Sequence, residues 1–243
     1  MKTKGGKNLY GASIGIMMLE TQFPRIPGDI GNATTWPFPV HYQPVTGAHP
    51  DNVVRRNGGG TIDEFVKAGK ELVKRGADAL TTNCGFLILF QDELTERIGV
   101  PILTSSLMQY NMINQTLPGN KVPGIITISK ENLSIKHLDA AKIPHDVAMI
   151  GMEDMKTTEF HDGILDDWEA MDFDICREEM INAALQLQKE NPNVGAILCE
   201  CTNMVPYARD MYRATGLPVY SIYSGVTWFH QSVQSRIFDI EQF

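Results

Sequence analysis

The sequence predicts an α/β protein of two pseudo-symmetric parallel-sheet lobes, Rossmann-like or flavodoxin-like, with the active site between them. Three observations carry that expectation. Short β-branched runs alternate with amphipathic stretches along the whole chain, the pattern of mostly parallel sheets covered by helices. A short pattern recurs at a fixed offset: Cys84 is followed fifteen residues later by Gly99-Val100-Pro101-Ile102, and Cys201 fifteen later by Gly216-Leu217-Pro218-Val219, both offsets being 117 residues. No long linker separates the halves, so the lobes should touch and hold a ligand between them.

Taken in order, Ser13 to Leu19 reads as a first strand. Thr61-Ile62-Asp63-Glu64, just after Gly58-Gly59-Gly60, has the Thr-x-x-Glu form of a capping box and predicts a helix running to about Arg75. A strand over Ala79–Thr82, a helical stretch over Leu87–Ile98, a strand over Pro101–Thr104 and a helix over Leu107–Thr116 follow, the last stopped by Pro118-Gly119. The second half repeats the alternation. Strands are expected at Gly124–Ile128, Val147–Met152, Val194–Glu200 and Pro218–Tyr223, with helices at Glu131–Ala141, near Asp174–Lys189, near Met204–Ala214 and from Val226 on. Residues 1–117 with 220–243 are assigned to the first lobe, which carries Cys84, and residues 118–219 to the second, which carries Cys201.

Composition narrows the function. Among 243 residues, 43% hydrophobic and 21% charged is the balance of a chain that can bury a core. The net charge of -8, with no basic stripe, argues against a nucleic-acid partner. The apolar run Ile14–Leu19 is too short for a signal-peptide core or a membrane span, so a cytoplasmic protein without a membrane partner is expected. Four cysteines in such a chain read as free thiols.

Each repeated cysteine closes a short strand and opens a helical stretch, the end of an α/β sheet where ligands bind. Helix N-terminal N–H groups favour thiolate, so both thiols are expected to have lowered pKa values. Two such groups from two equivalent lobes suit one-base-per-face proton transfer, because inverting a carbon needs a base on one side and an acid on the other. Cys84 and Cys201 are therefore the candidate catalytic residues. Cys199 reads as a packed strand residue and Cys176 as part of a helical core stripe with Phe173, Met180, Ala184 and Leu187. Cys199-Glu200-Cys201 lacks the further ligands that zinc needs, so no metal is expected.

Arg25, in a proline-bounded loop, reads either as a clamp for a substrate carboxylate or as a surface residue holding its loop. Thr82, Asn83, Thr202 and Asn203 flank the cysteines and offer short polar groups, for substrate or for capping the adjacent helices. Thr127 and Ser129, at the end of the second lobe's first strand, are candidates of the same kind. The six histidines are scattered, with His161 in an acidic segment, and Gly58-Gly59-Gly60 lacks both the P-loop and the dinucleotide fingerprint.

The segments Thr81-Thr82-Asn83-Cys84-Gly85-Phe86 and Leu198-Cys199-Glu200-Cys201-Thr202-Asn203 resemble the two cysteine motifs of the aspartate/glutamate racemase superfamily. The resemblance covers most of the chain. It implies a cofactor-independent racemase or epimerase acting on an amino acid or related small carboxylic acid, with one catalytic cysteine from each lobe and a homodimeric assembly. The loop Glu20 to Asn32 replaces the Asp-Ser-Gly type of glutamate racemases, and Gly85-Phe86-Leu87 replaces their Asn-Thr-Ala, so a substrate other than glutamate is implied. The alternatives are relatives that racemise hydantoins, decarboxylate arylmalonates or isomerise maleate, and, from another class, a non-catalytic two-lobed protein that binds a small anion.

Overall fold

A computed structural model describes residues 5–236. The chain ends 1–4 and 237–243, expected to belong to the first lobe, lie outside the described residues. Four strands of the first half, β1 (Ile14–Leu19), β2 (Val40–Val45), β3 (Ala79–Thr82) and β4 (Ile102–Leu103), form one sheet. Four of the second, β5 (Val122–Thr127), β6 (Met149–Gly151), β7 (Val194–Cys199) and β8 (Val219–Tyr220), form another. Both sheets are wholly parallel, in the orders β2-β1-β3-β4 and β6-β5-β7-β8. The same order occurs twice, which is the internal repetition expected from the 117-residue offset.

The physical reason lies in the strands. Ile-Gly-Ile-Met-Met-Leu in β1 is buried at all six positions, as central parallel strands covered on both faces must be. The helices α1 (Ile62–Arg75), α2 (Gln91–Ile98), α3 (Tyr110–Thr116), α4 (Ile135–Ala140), α5 (Glu159–Leu165), α6 (Phe173–Glu190), α7 (Ala208–Thr215) and α8 (Ile222–Val233) supply the covers. α1 turns Phe65, Val66, Ala68, Gly69 and Leu72 inward and carries Asp63 and Glu64 in its first turn against Lys74 and Arg75 in its last, as the helix dipole favours. α6 buries Cys176, Met180, Ala184 and Leu187 of the expected stripe, while Phe173 at its start is only half-buried.

The repeated Gly-x-Pro-x has a simple cause. Gly99 (φ 84°) and Gly216 (φ 71°) take left-handed conformations that end α2 and α7, and the following proline leads directly into β4 or β8. The last helix, α8, packs Ile222 and Val226 with Ile14, Ile16, Ala79 and Leu103, all from the first half of the chain. The larger buried cluster is continuous through both halves and contains both Cys84 and Cys201.

Three local expectations are corrected. The capping box at Thr61 does not form: its hydroxyl donates to the Gly58 carbonyl at 2.7 Å and closes the glycine turn instead. Strand β2 was hidden by its proline, Pro44, which an edge strand tolerates. The helical stretches after both cysteines begin as 3₁₀ turns, Gly85–Phe90 and Thr202–Tyr207, before α2 and α7 continue them. Among the described residues, no helix is long and apolar enough to cross a membrane.

Candidate active site between the lobes

Cys84 follows β3 and caps the 3₁₀ turn Gly85–Phe90, and Cys201 follows β7 and caps the turn Thr202–Tyr207, both with extended backbone. The two thiols, 8% and 6% exposed, line one occluded chamber. Leu19, Thr21, Phe23, Pro50, Val54, Asn83 and Gly85 complete its first-lobe wall, and Ile128, Ile164, Leu165, Glu200 and Asn203 the wall from the second. Once the radius of a water molecule is taken off its walls the chamber measures about 20 Å³, room for about one water. A molecule larger than water would fit only if the chamber's cover moved.

That cover comes from two short helices. Pro50 and Val54 belong to a single π-helical turn around Asp51–Arg55, and Ile164 and Leu165 to α5. Exposed polar links tie the covering segments together: Arg55 donates to Asp166 at 2.8 Å, and the N–H groups of Gln22 and Phe23 donate to Asp167 Oδ1 at 2.6 and 3.2 Å. Asp167 holds a left-handed conformation (φ 56°), which aspartate tolerates better than most residues. Behind the chamber the cysteine loops are stitched more firmly. The Thr202 hydroxyl donates to the Asn83 carbonyl at 2.6 Å, and the Ser106 hydroxyl to the Cys199 carbonyl at 2.7 Å, all buried.

The pseudo-symmetry extends to the residue before each cysteine. Asn83 and Glu200 are 117 residues apart, and each places a side-chain oxygen on the N–H that follows or ends the first strand of its lobe: Asn83 Oδ1 on Leu19 at 2.7 Å, Glu200 Oε2 on Ile128 at 3.3 Å. The twins differ in chemistry, an amide against a carboxyl. Glu200 is 1% exposed; its Oε2 also accepts from the Thr127 hydroxyl at 2.9 Å, whereas its Oε1 is buried and has no partner among the described residues. Burial pushes the Glu200 carboxyl up to about 7, against the opposing hydrogen bonds from Thr127 and Ile128. Sequence reasoning passed over this residue, although the 117-residue offset that pairs the cysteines pairs it with Asn83.

The expectation of lowered thiol pKa values is overturned. Burial, then the Glu200 charge, push Cys84 up against the N–H groups of Phe86 and Leu87. The same two causes push Cys201 up against the Asn203 N–H. A short 3₁₀ turn brings few aligned dipoles, and desolvation of a closed chamber outweighs them. Burial in the closed chamber thus favours the protonated form of both thiols.

The other candidates divide. Asn83 and Asn203 line the chamber with the cysteines. Asn203 Oδ1 accepts from the Cys201 thiol at 3.4 Å, and its Nδ2 donates to Asp29 at 2.5 Å. Arg25 does not enter the chamber. It donates to Asp29 at 2.7 Å and to Thr21 at 2.9 Å, lies over the Phe23 ring at 4.5 Å, and so reaches Cys201 only through Asp29 and Asn203. Thr82 is spent on the Thr104 and Cys84 carbonyls, Thr127 on Glu200, and Ser129 on Glu153 and Asn132. Thr202 serves the stitch to Asn83. His161 pairs with Asp162 at 2.7 Å and does not reach the chamber wall.

Gly85 shows how tightly the carboxyl is held. A Cβ there would stand 2.2 Å from Glu200 Oε1 and 2.5 Å from its carbonyl oxygen. Gly85→Ala is expected to cost roughly 1–3 kcal/mol, the usual range for overpacking, and a urea titration showing a smaller loss would mean that the carboxyl swings away freely.

No family model matches the chain. It is 27% identical over 230 residues to a dimethylsulfoniopropionate lyase of Durusdinium sp. clade D, covering 91% of this chain and 75% of the relative. It is 24% identical over 227 residues to dimethylsulfoniopropionate lyase 7 of Emiliania huxleyi, covering 86% of this chain but 63% of that relative, so the chain spans less than two thirds of its length. Among solved structures, unliganded arylmalonate decarboxylase superposes with a TM-score of 0.55 at 14% identity, covering 92% of this chain and 93% of that one. Picrophilus torridus aspartate racemase superposes with a TM-score of 0.56 at 13% identity, covering 95% of this chain and 97% of that one. The chain thus has the two-lobed α/β fold of the aspartate/glutamate racemase superfamily, to which these structures belong, while the sequence relatives are named as lyases.

Proposed function

We propose that this protein is a cofactor-independent enzyme that removes the proton α to the carboxylate of a small substrate, with Cys84 and Cys201 as the groups that carry the proton. The observation that supports this most is their placement: one cysteine from each lobe, each at a strand end, both in one occluded chamber. The fate of the electron pair left by the proton depends on the β-carbon. On a substrate without a leaving group, the proton returns from the other face and the carbon inverts. On a 3-sulfoniopropionate, the electron pair forms the C=C bond while the C–S bond breaks, giving acrylate, a neutral sulfide and one proton held by the base.

Elimination of a β-sulfonium is our leading reading. The relatives named as lyases favour it, and so does the mismatch of Asn83 and Glu200, since elimination needs a base on only one face. An apolar wall of Phe23, Val54, Ile128, Ile164 and Leu165 also suits methyl groups better than an α-ammonium, which needs acceptors. Amino-acid racemisation is the second reading, favoured by the matched cysteines.

The two are separated by one NMR experiment in deuterated water without added cofactor. Dimethylsulfoniopropionate is expected to give acrylate and dimethyl sulfide. Exchange and racemisation of an L- or D-amino acid or a hydantoin instead would replace the lyase reading with the racemase. Neither reaction, on any of these compounds, would end both.

A further inference from the structure

Among the described residues, no lysine, arginine or histidine lines the chamber, although the proposed substrate is a carboxylate. Arg25, linked to Cys201 through Asp29 and Asn203, is committed to Asp29 and Thr21. An anion entering such a space needs a hydrogen-bond donor that is itself uncharged, or the desolvation cost of the ion goes uncompensated. The wall supplies one strong candidate.

Glu200 lines the chamber and, among the described residues, finds hydrogen-bond partners for only one of its carboxyl oxygens. Oε2 accepts two hydrogen bonds, from the Thr127 hydroxyl and the Ile128 N–H, so a proton on this carboxyl sits on Oε1. Oε1 is buried, has no partner, and lies against Gly85, next to Cys84. The titratable groups around it are the thiols of Cys84, Cys199 and Cys201, with Asp29 beyond Asn203 and His137 beyond the Phe86 ring. None of these is a cation that would hold Glu200 ionised: burial keeps the thiols protonated and His137 neutral.

We propose that Glu200 is the substrate-binding residue for the carboxylate, its protonated Oε1 donating a hydrogen bond to one carboxylate oxygen. This deepens the proposed function and rests on its assignment of a carboxylate substrate. A hydrogen bond from a neutral acid to a carboxylate is charge-assisted and short, and it strengthens as the second pair of electrons moves onto the carboxylate during α-proton removal. A thiolate of Cys84 or Cys201, formed by loss of its proton to water while the chamber is open, takes the carbon-bound proton; Glu200 keeps its own. The lobe-to-lobe mismatch then acquires a purpose: the amide of Asn83 marks one side of the chamber and the acid of Glu200 the side that receives the carboxylate.

The consequence is binding coupled to a proton. Because the Glu200 carboxyl sits at about 7 in the empty chamber, an anion that needs it protonated binds more weakly above that pH. The probe is propionate, which has the carboxylate and no leaving group, titrated into the intact protein by calorimetry in buffers of different ionisation enthalpy. Affinity is expected to be about tenfold weaker at pH 8 than at pH 6, with uptake of about one proton at pH 8. Glu200→Gln keeps an N–H donor on the chamber side and is expected to bind propionate within about threefold of the wild type at pH 6, with no pH dependence and no proton uptake. Thr127→Val, which removes a donor that favours the ionised form, is expected to move the weakening to higher pH.

The proposal is overturned by wild-type binding that is level from pH 6 to 8, by proton uptake that persists in Glu200→Gln, or by absence of propionate binding at pH 6. Propionate is not turned over, so these results stand apart from the turnover of dimethylsulfoniopropionate or an amino acid. Proton-coupled binding without any turnover would sink the proposed reaction and leave Glu200 as the carboxylate's partner.

Discussion

Serine at whichever of Cys84 and Cys201 acts as the base is expected to reduce α-proton transfer by about a thousandfold, in the middle of the range that a general base contributes. A serine hydroxyl matches the size of the thiol but holds its proton far more tightly, so the chamber stays shaped while the base is lost. The pair of variants also separates the two reactions. Racemisation needs a base and an acid on opposite faces and is lost in both variants, although each can still exchange the α-proton of one enantiomer with solvent. Elimination draws on one thiolate and is lost in whichever variant removes it. Turnover measured for both variants beside circular dichroism of each decides the matter, and full activity in both would end the thiol mechanism.

A second large effect concerns stability against pH, and it is concealed in the wild type. Glu200 is pushed up to about 7 by burial, so between about 4.5 and 7 the folded state holds a proton that the unfolded chain has released. Stability from this group is fully present at low pH and is lost as pH rises through that range, by roughly 3 kcal/mol at 1.36 kcal/mol per unit. His137 does the reverse. It is fully buried on α4, with Nδ1 facing Ser134, Nε2 unpartnered and its ring edge-on to Phe86, and burial holds it down to about 4. The unfolded chain binds the extra proton below about 6.5, so this contribution is lost as pH falls, by a similar amount.

The two slopes oppose each other over nearly the same interval. Urea titrations from pH 4.5 to 7 are expected to show a nearly level wild type. Glu200→Gln should instead become more stable with rising pH by roughly 3 kcal/mol, and His137→Gln less stable by a similar amount. Parallel curves for the three proteins would mean that neither group is buried in the folded state.

How much of this was legible in the sequence depends on what each signal rests on. The two sheets were readable because buried parallel strands are continuous apolar runs, and β3 at Ala79–Thr82 agrees residue for residue. The repeat was readable because Gly99 and Gly216 must adopt positive φ where no other residue fits as well. β2 escaped because an edge strand carries Pro44, and α5 because seven residues with Gly163 among them leave no clear period. Both cysteines were legible from the offset. Their protonation was not, because it depends on how tightly Val54, Ile164 and Leu165 close the chamber, which no local pattern records. Arg25 shows the same limit: its charge is visible in the sequence, but its engagement by Asp29 is a fact of packing.

The two buried stitches, Thr202 to Asn83 and Ser106 to Cys199, give this architecture a division of labour that bears on its inheritance. The first joins the two cysteine loops to each other, and the second ties the end of β7 to the turn after β4. The cover of the chamber comes from the turn at Asp51–Arg55 and from α5, neither of which contributes a strand to either sheet. Substitutions at Val54 or Ile164 can therefore remodel what the chamber admits while the thiols keep their spacing. The cover can thus vary while the stitched loops beneath it stay fixed.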